Sequence, residues 1–222
     1  MKSLKSLFEI NILKTLFLNF SCLPLSQAVR IPLLVYRRTK IINLGGVKIQ
    51  GEIIPGMIKI GPKLLGFQDV YYDRTIWNVR GNIIFNGRAC LGRGISISVN
   101  KNASLTCGND FCMTGKSSII CQKEIVFGAE CLISWNVQII DSDFHGIFFD
   151  TTTFVNPPKR ITFGDHIWVG FGCTILKGCS IIDNTIIAAN STITKSINEP
   201  NCIVGGSGSE IKILKRNINW HN

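Results

Sequence analysis

From Phe163 onward the chain repeats one pattern of apolar and polar positions every sixth residue. Written in sixes from Ile161, it reads ITFGDH, IWVGFG, CTILKG, CSIIDN, TIIAAN, STITKS. The third positions are Phe163, Val169, Ile175, Ile181, Ile187 and Ile193, all large and apolar. The first positions are Ile161, Ile167, Cys173, Cys179, Thr185 and Ser191, aliphatic or small. The fourth positions include Gly164, Gly170 and Ala188. This period is neither that of an amphipathic helix nor the plain alternation of a half-buried strand. It predicts a short strand and a corner, repeated on successive faces of a coil. The large aliphatic fills the interior, and the small residues around it let the corner close. Coils of this kind stack at the ordinary strand spacing of about 4.8 Å. The pattern therefore predicts an all-β solenoid.

The same register reaches back less cleanly. Phe127, Ile133 and Ile139 are six apart, and Ile139 to Phe163 is again a multiple of six. Residues 146–160 are thus expected to leave the solenoid and return in phase. Cys107, Gly108 and Met113 fit if two residues are inserted before Phe127. Ile83, Phe85, Ile95, Ile97 and Val99 read as strands preceding the regular part, and Asn43 to Gly66 as irregular, Gly-rich strand. At the start, Leu4, Leu7, Phe8, Ile12, Leu16, Phe17 and Phe20 form a rough helical stripe. Glu9, Asn11, Lys14 and Asn19 interrupt it, so it lacks the roughly 18 uncharged apolar residues of a spanning helix. Two placements remain open for it: packed on its own domain or a neighbouring subunit, or lying as a basic amphipathic helix on a membrane surface. The expected organisation is a helical, basic segment over 1–40, irregular strands over 41–82, the repeat solenoid over 83–204 with its loop at 146–160, and a tail over 205–222.

Composition narrows the class. Of 222 residues, 45% are hydrophobic and 17% charged, which excludes a disordered chain and suits one domain with a sizeable core. The net charge of +10 gives a surface attractive to nucleic acid, anionic lipid or phosphorylated small molecules. No block of five like charges and no nucleic-acid motif occurs, so no nucleic-acid partner is expected. The nine cysteines are odd in number and contain no CxxC pair. They predict reduced, buried thiols in a cytosolic protein rather than a disulfide framework or a zinc site.

Three segments resemble the hexapeptide-repeat acyltransferases. FGDHIWVG (Phe163 to Gly170) is similar to that family's IGDNVWIG. NCIVGGSGSEIKILK (Asn201 to Lys215) is similar to its closing segment, with Gly208-Ser209 where Pro-Ala is usual. IIDSDFHGI (Ile139 to Ile147) is similar to the IxDxDxH segment of sugar O-acetyltransferases. The resemblance spans about residues 83 to 215 and is strongest toward acyltransferases of surface-polysaccharide synthesis. It implies a left-handed parallel β-helix, a homotrimer, acetyl-CoA as donor and a saccharide as acceptor. Residue by residue, it implies Trp168, Gly170, Ala188, Thr194, Lys195 and Lys212 on the donor, with Lys215 also near its phosphates, and Asn136 on the acceptor.

The chemistry needs a base, because an unactivated alcohol is a weak nucleophile, and an imidazole is suited to take its proton near neutral pH. Among His145, His166 and His221, only His145 follows two carboxylates, Asp141 and Asp143. In an extended strand residues two apart share a side, so the three converge if the strand continues, and one carboxylate can then fix the imidazole tautomer. His166 falls at a corner and His221 near the terminus. Three other readings stay open: N-acetylation of an amino sugar, a γ-carbonic-anhydrase-like zinc site for which the histidines are too few, and a non-catalytic scaffold. The expected setting is the cytoplasm, with peripheral contact at the inner face of the membrane through the N-terminal helix.

Overall fold

The structure, a computed structural model, describes residues 9–69, 71–150 and 152–221. Leu4, Leu7 and Phe8 of the N-terminal stripe lie outside the described residues. Among the described residues, twenty-two strands form three sheets wound around one interior. The first sheet runs from Leu33–Val35 through Ile58–Ile60, Ala89–Leu91, Phe111–Met113, Leu132–Ile133, Trp168–Val169 and Thr185–Ile187 to Cys202–Gly205. The second sheet begins at Thr39–Asn43 and ends at Thr192–Ile193, and the third begins at Gly46–Ile49 and ends at Ser180–Ile181. Each strand up to Cys202–Gly205 pairs in parallel with the equivalent strand one coil away, as the repeat predicts.

Within each strand the side chains alternate between interior and exterior. Ala89 and Leu91 point in while Cys90 points out; Phe111 and Met113 point in while Cys112 points out. In-register pairing turns this alternation into continuous internal columns. Ile60, Leu91, Met113, Ile133, Val169 and Ile187 form one. Phe127 stacks on Phe163 at 4.5 Å between ring centroids and tilts against Phe111 at 4.7 Å. Each fully buried aliphatic of such a column stabilises the fold by roughly 1.5–3 kcal/mol. The nine cysteines are free thiols, six of them buried.

The coil begins earlier than the repeat alone indicates. Leu33–Val35, Thr39–Asn43 and Gly46–Ile49 already make a complete first turn, and residues 58–85 make the second. Extra residues between the strands, at 50–57 and 61–74, hide the six-residue period there without disturbing the parallel pairing. The 141–160 excursion returns in phase: Phe163 pairs directly with Phe127.

Helix α1 (Ile12–Cys22), capped by the Asn11 carboxamide accepting from the Lys14 amide, and the short α2 (Leu25–Ala28) cover the start of the first sheet. An open strand edge needs partners for its backbone groups. Buried Asn19 accepts from the Leu33 amide and donates to its carbonyl, while the Thr15 hydroxyl accepts from the Val35 amide. At the other end, Lys212–Arg216 turns back antiparallel on Cys202–Gly205. Trp220 then buries its ring against His166.

Candidate active site

The second sheet's fifth strand, Gln138–Ile140, ends where the hexapeptide register breaks. Beyond it the chain makes a hairpin arm. Phe148 bridges Phe154, Phe149 donates to the Thr153 carbonyl, and Val155 to the Ile147 carbonyl. At its tip the Asp150 carboxylate accepts from the Thr152 and Thr153 amides, which lower its pKa to about 2.

The strand does not continue far enough for Asp141, Asp143 and His145 to share a side. Asp141 keeps the inward alternation and is wholly buried. Its carboxylate accepts from the amides of Gln122 at 2.7 Å, Lys123 at 2.8 Å and Glu124 at 2.9 Å, closing the corner of the preceding coil. Desolvation, reinforced by the Asp141 charge, pushes the neighbouring Cys121 thiol well above its usual range. Asp141 is therefore occupied within the scaffold, whereas Asp143 and His145 stand outside it on the exposed arm. Among the described residues the His145 imidazole has no hydrogen-bond partner, so the expected carboxylate contact to the ring is not made.

What positions His145 instead is a knot at the arm's neck. Asn156 donates to Asp143 Oδ2 and to the His145 carbonyl, both at 2.9 Å, and accepts from the Ile147 amide at 2.6 Å. Lys177, from the next coil, reaches Asp143 Oδ2 at 2.5 Å and the Asn156 carbonyl at 3.0 Å. The Lys177 hydrogen bond and then that of Asn156 hold the Asp143 carboxyl below the usual carboxylate range. Sequence reasoning missed both residues. The only signal for Lys177 is a cation at the fifth position of a hexapeptide, and Asn156 had none.

A second locus lies along the first sheet. Trp168 points outward beside the corner, its indole N–H donating to the Ser134 hydroxyl at 3.1 Å. Trp168, Gly170 and Ala188 line one cleft of about 210 Å³ with Trp135 and Phe171. Trp135 stacks on Phe171 at 5.2 Å and meets the edge of Phe67 at 5.6 Å, an aromatic wall absent from the expectations. Gly170 also has a scaffold reason: a Cβ there would sit 2.7 Å from the Ile187 carbonyl oxygen on the next coil. Lys195 and Lys212 border a separate hollow of about 150 Å³ further along, with exposed Thr194 next to Lys195. Asn136 is an exposed corner residue with φ of 56°. His166 takes the same left-handed conformation, bonds Asn184 at 2.9 Å and stacks under Trp220. His221 is held near Asn219 by the same tail.

Trp135 precedes the second sheet's fifth strand and Asp141 follows it, with the left-handed corner at Asn136 between Trp135 and the strand. His145 is not among the residues that line the cleft.

No protein-family model matches the chain. It is 25% identical over 147 residues to a 24.8 kDa protein of the cps region of Klebsiella pneumoniae, covering 65% of this chain and 63% of that one. It is 33% identical over 82 residues to the polysialic acid O-acetyltransferase of Neisseria meningitidis, covering 36% of each. The chain thus spans under two thirds of the length of these relatives. Among solved structures, that of the polysialic acid O-acetyltransferase OatWY superposes with a TM-score of 0.53 and 26% identity, over 83% of this chain and 87% of the other. The parallel coils, the phased excursion and these likenesses together give the chain the fold of a left-handed parallel β-helix and make it similar to the hexapeptide-repeat sugar O-acetyltransferases.

Proposed function

We propose that this protein transfers an acetyl group from acetyl-CoA to a hydroxyl of a saccharide during synthesis of a surface polysaccharide. The observation that carries this reading is the arm itself. Beyond the second coil, the winding is broken by a braced hairpin that holds His145 out from the scaffold. His145 takes the proton of the acceptor hydroxyl while that oxygen attacks the thioester carbonyl. The carbon–sulfur bond then breaks, and the CoA thiolate leaves and takes up the proton. The cleft at Trp168, Gly170 and Ala188 receives the acyl–pantetheine end, and Lys195 and Lys212 serve the phosphates as point charges. The named activity of the meningococcal and OatWY relatives supports a polysaccharide acceptor.

A homotrimer belongs to this reading. The arm exposes Phe144, Ile147, Phe148 and Phe149, apolar side chains that call for a cover. A neighbouring copy supplies it and at the same time sets His145 of one copy against the cleft of another. The working place is the cytoplasm, at the inner face of the membrane; no described helix is long and apolar enough to cross one.

The test is thiol release from acetyl-CoA in the presence of candidate saccharides. His145→Ala should lower turnover about a hundredfold or more, the size of a general-base contribution, with donor affinity kept. Full activity in that variant overturns the assignment.

A further inference from the structure

Helix α1 turns Leu18 into the core but most of its other apolar side chains outward. Its polar residues Thr15 and Asn19 face the solenoid, where they satisfy the edge backbone at Leu33 and Val35. Its outer side presents Ile12, Leu13, Leu16, Phe17 and Phe20, a stripe with successive spacings of one, three, one and three residues. Leu13 is 81% exposed and Ile12 70%. The helix cannot roll to bury this stripe without leaving the Leu33 and Val35 groups unpaired.

Directly beside the stripe lies a cleft of about 700 Å³. Phe17 and Lys14 form its helical wall; Arg37, Arg38, Lys40 and Arg74 line the rest together with Thr39, Ile41, Ile42 and Leu44, and no acidic residue does. The side chains of Arg37, Arg38, Lys40 and Arg74 have no partner among the described residues. The nearby acids are engaged elsewhere: Glu9 with Arg93 at 2.7 Å and Asp73 with Lys116 at 3.2 Å.

We infer that this end of the solenoid docks on an anionic phospholipid surface, with the α1 stripe in the headgroup–acyl boundary and the cation cleft around lipid phosphates. The two halves of the surface select this occupant together. An anionic saccharide chain would use the cations but gives no role to five exposed aliphatic and aromatic side chains. A second copy related by a two-fold axis would cover the stripe but would bring two uncompensated cation clusters face to face. A membrane interface accepts both, since apolar area and anionic headgroups lie side by side there. The inference gives substance to the inner-membrane placement proposed above and is independent of acyl transfer.

Flotation of the full chain with vesicles of phosphatidylcholine, with and without phosphatidylglycerol, tests it. The protein should rise with the anionic vesicles only, and less so at high salt. Arg37→Gln/Arg38→Gln/Lys40→Gln should weaken partitioning about a hundredfold, at about fivefold per cation. Leu13→Ser/Phe17→Ser should weaken it as well, with the circular dichroism of the fold kept in both variants. Thiol release with a soluble acceptor should persist in both, and its loss in the charge variant, with the fold kept, would make the cleft part of the transfer site and overturn the inference. The inference is overturned if the full chain ignores anionic vesicles or if the charge variant floats like the wild type. It is equally overturned if Leu13→Ser/Phe17→Ser lowers the particle mass in light scattering, which would make the stripe a contact between copies. Binding of soluble polysialic acid in the cleft without vesicle binding would overturn it too.

Discussion

Two neighbouring carboxylates show how little spacing says about role at the scale of single residues. Asp141 is spent on three backbone amides of a corner, while Asp143 is gripped by Lys177 outside the scaffold. Because its folded-state pKa is lowered, the Asp143 contact is present above the ordinary carboxylate range and lost only as pH falls through the depressed value. Lys177→Met should therefore move the loosening of the arm up toward the ordinary Asp value of about 3.9. Limited proteolysis within residues 146–155 across an acid series reads this directly, and cleavage that stays unchanged would contradict it. The same variant should lower turnover more than it raises the KM for acetyl-CoA, since it loosens the base and leaves the donor cleft alone. The motif IIDSDFH was legible in the sequence, but its division of labour was not. It depends on where the strand stops, and Ile140 looks no different from a residue that would carry it further.

At the scale of elements, the N-terminal helix was visible as a stripe, but its orientation was not. An apolar stripe ordinarily faces the core. Here the solenoid's exposed backbone edge outbids it, because unpaired amides and carbonyls cost more than exposed aliphatics. Asn19→Leu should consequently destabilise the protein by about 1–3 kcal/mol despite adding buried apolar area, because it strands the Leu33 groups. A urea denaturation midpoint that fails to drop would refute this account. The aromatic wall of Phe67, Trp135 and Phe171 was hidden for a different reason. Its members come from three separate coils, and only the stacking register brings them together.

For the whole molecule, the late coils were readable because nothing interrupts them, and the first two were not because 50–57 and 61–74 do. Inward position nevertheless has a uniform chemical consequence along the stack. Burial raises the thiols of Cys131, to about 12, and Cys179, to about 11. Native labelling with iodoacetamide should spare Cys107, Cys121, Cys131, Cys173, Cys179 and Cys202 and reach the partly exposed Cys112 first, whose thiol the hydrogen bond with Cys90 lowers. Labelling of all nine at equal rates would mean that the columns breathe together.

The excursion that carries His145 has one last property. Ile139 to Phe163 exceeds the step from Ile175 to Ile181 by the same eighteen residues that separate Ile175 from Ile193, one full coil. Its excision or replacement by another arm of any conformation leaves every later side chain on the face it already occupies. The arm is a cassette: under the proposed function, an exchange of the arm would rewrite acceptor choice and leave the cleft at Trp168, Gly170 and Ala188 intact.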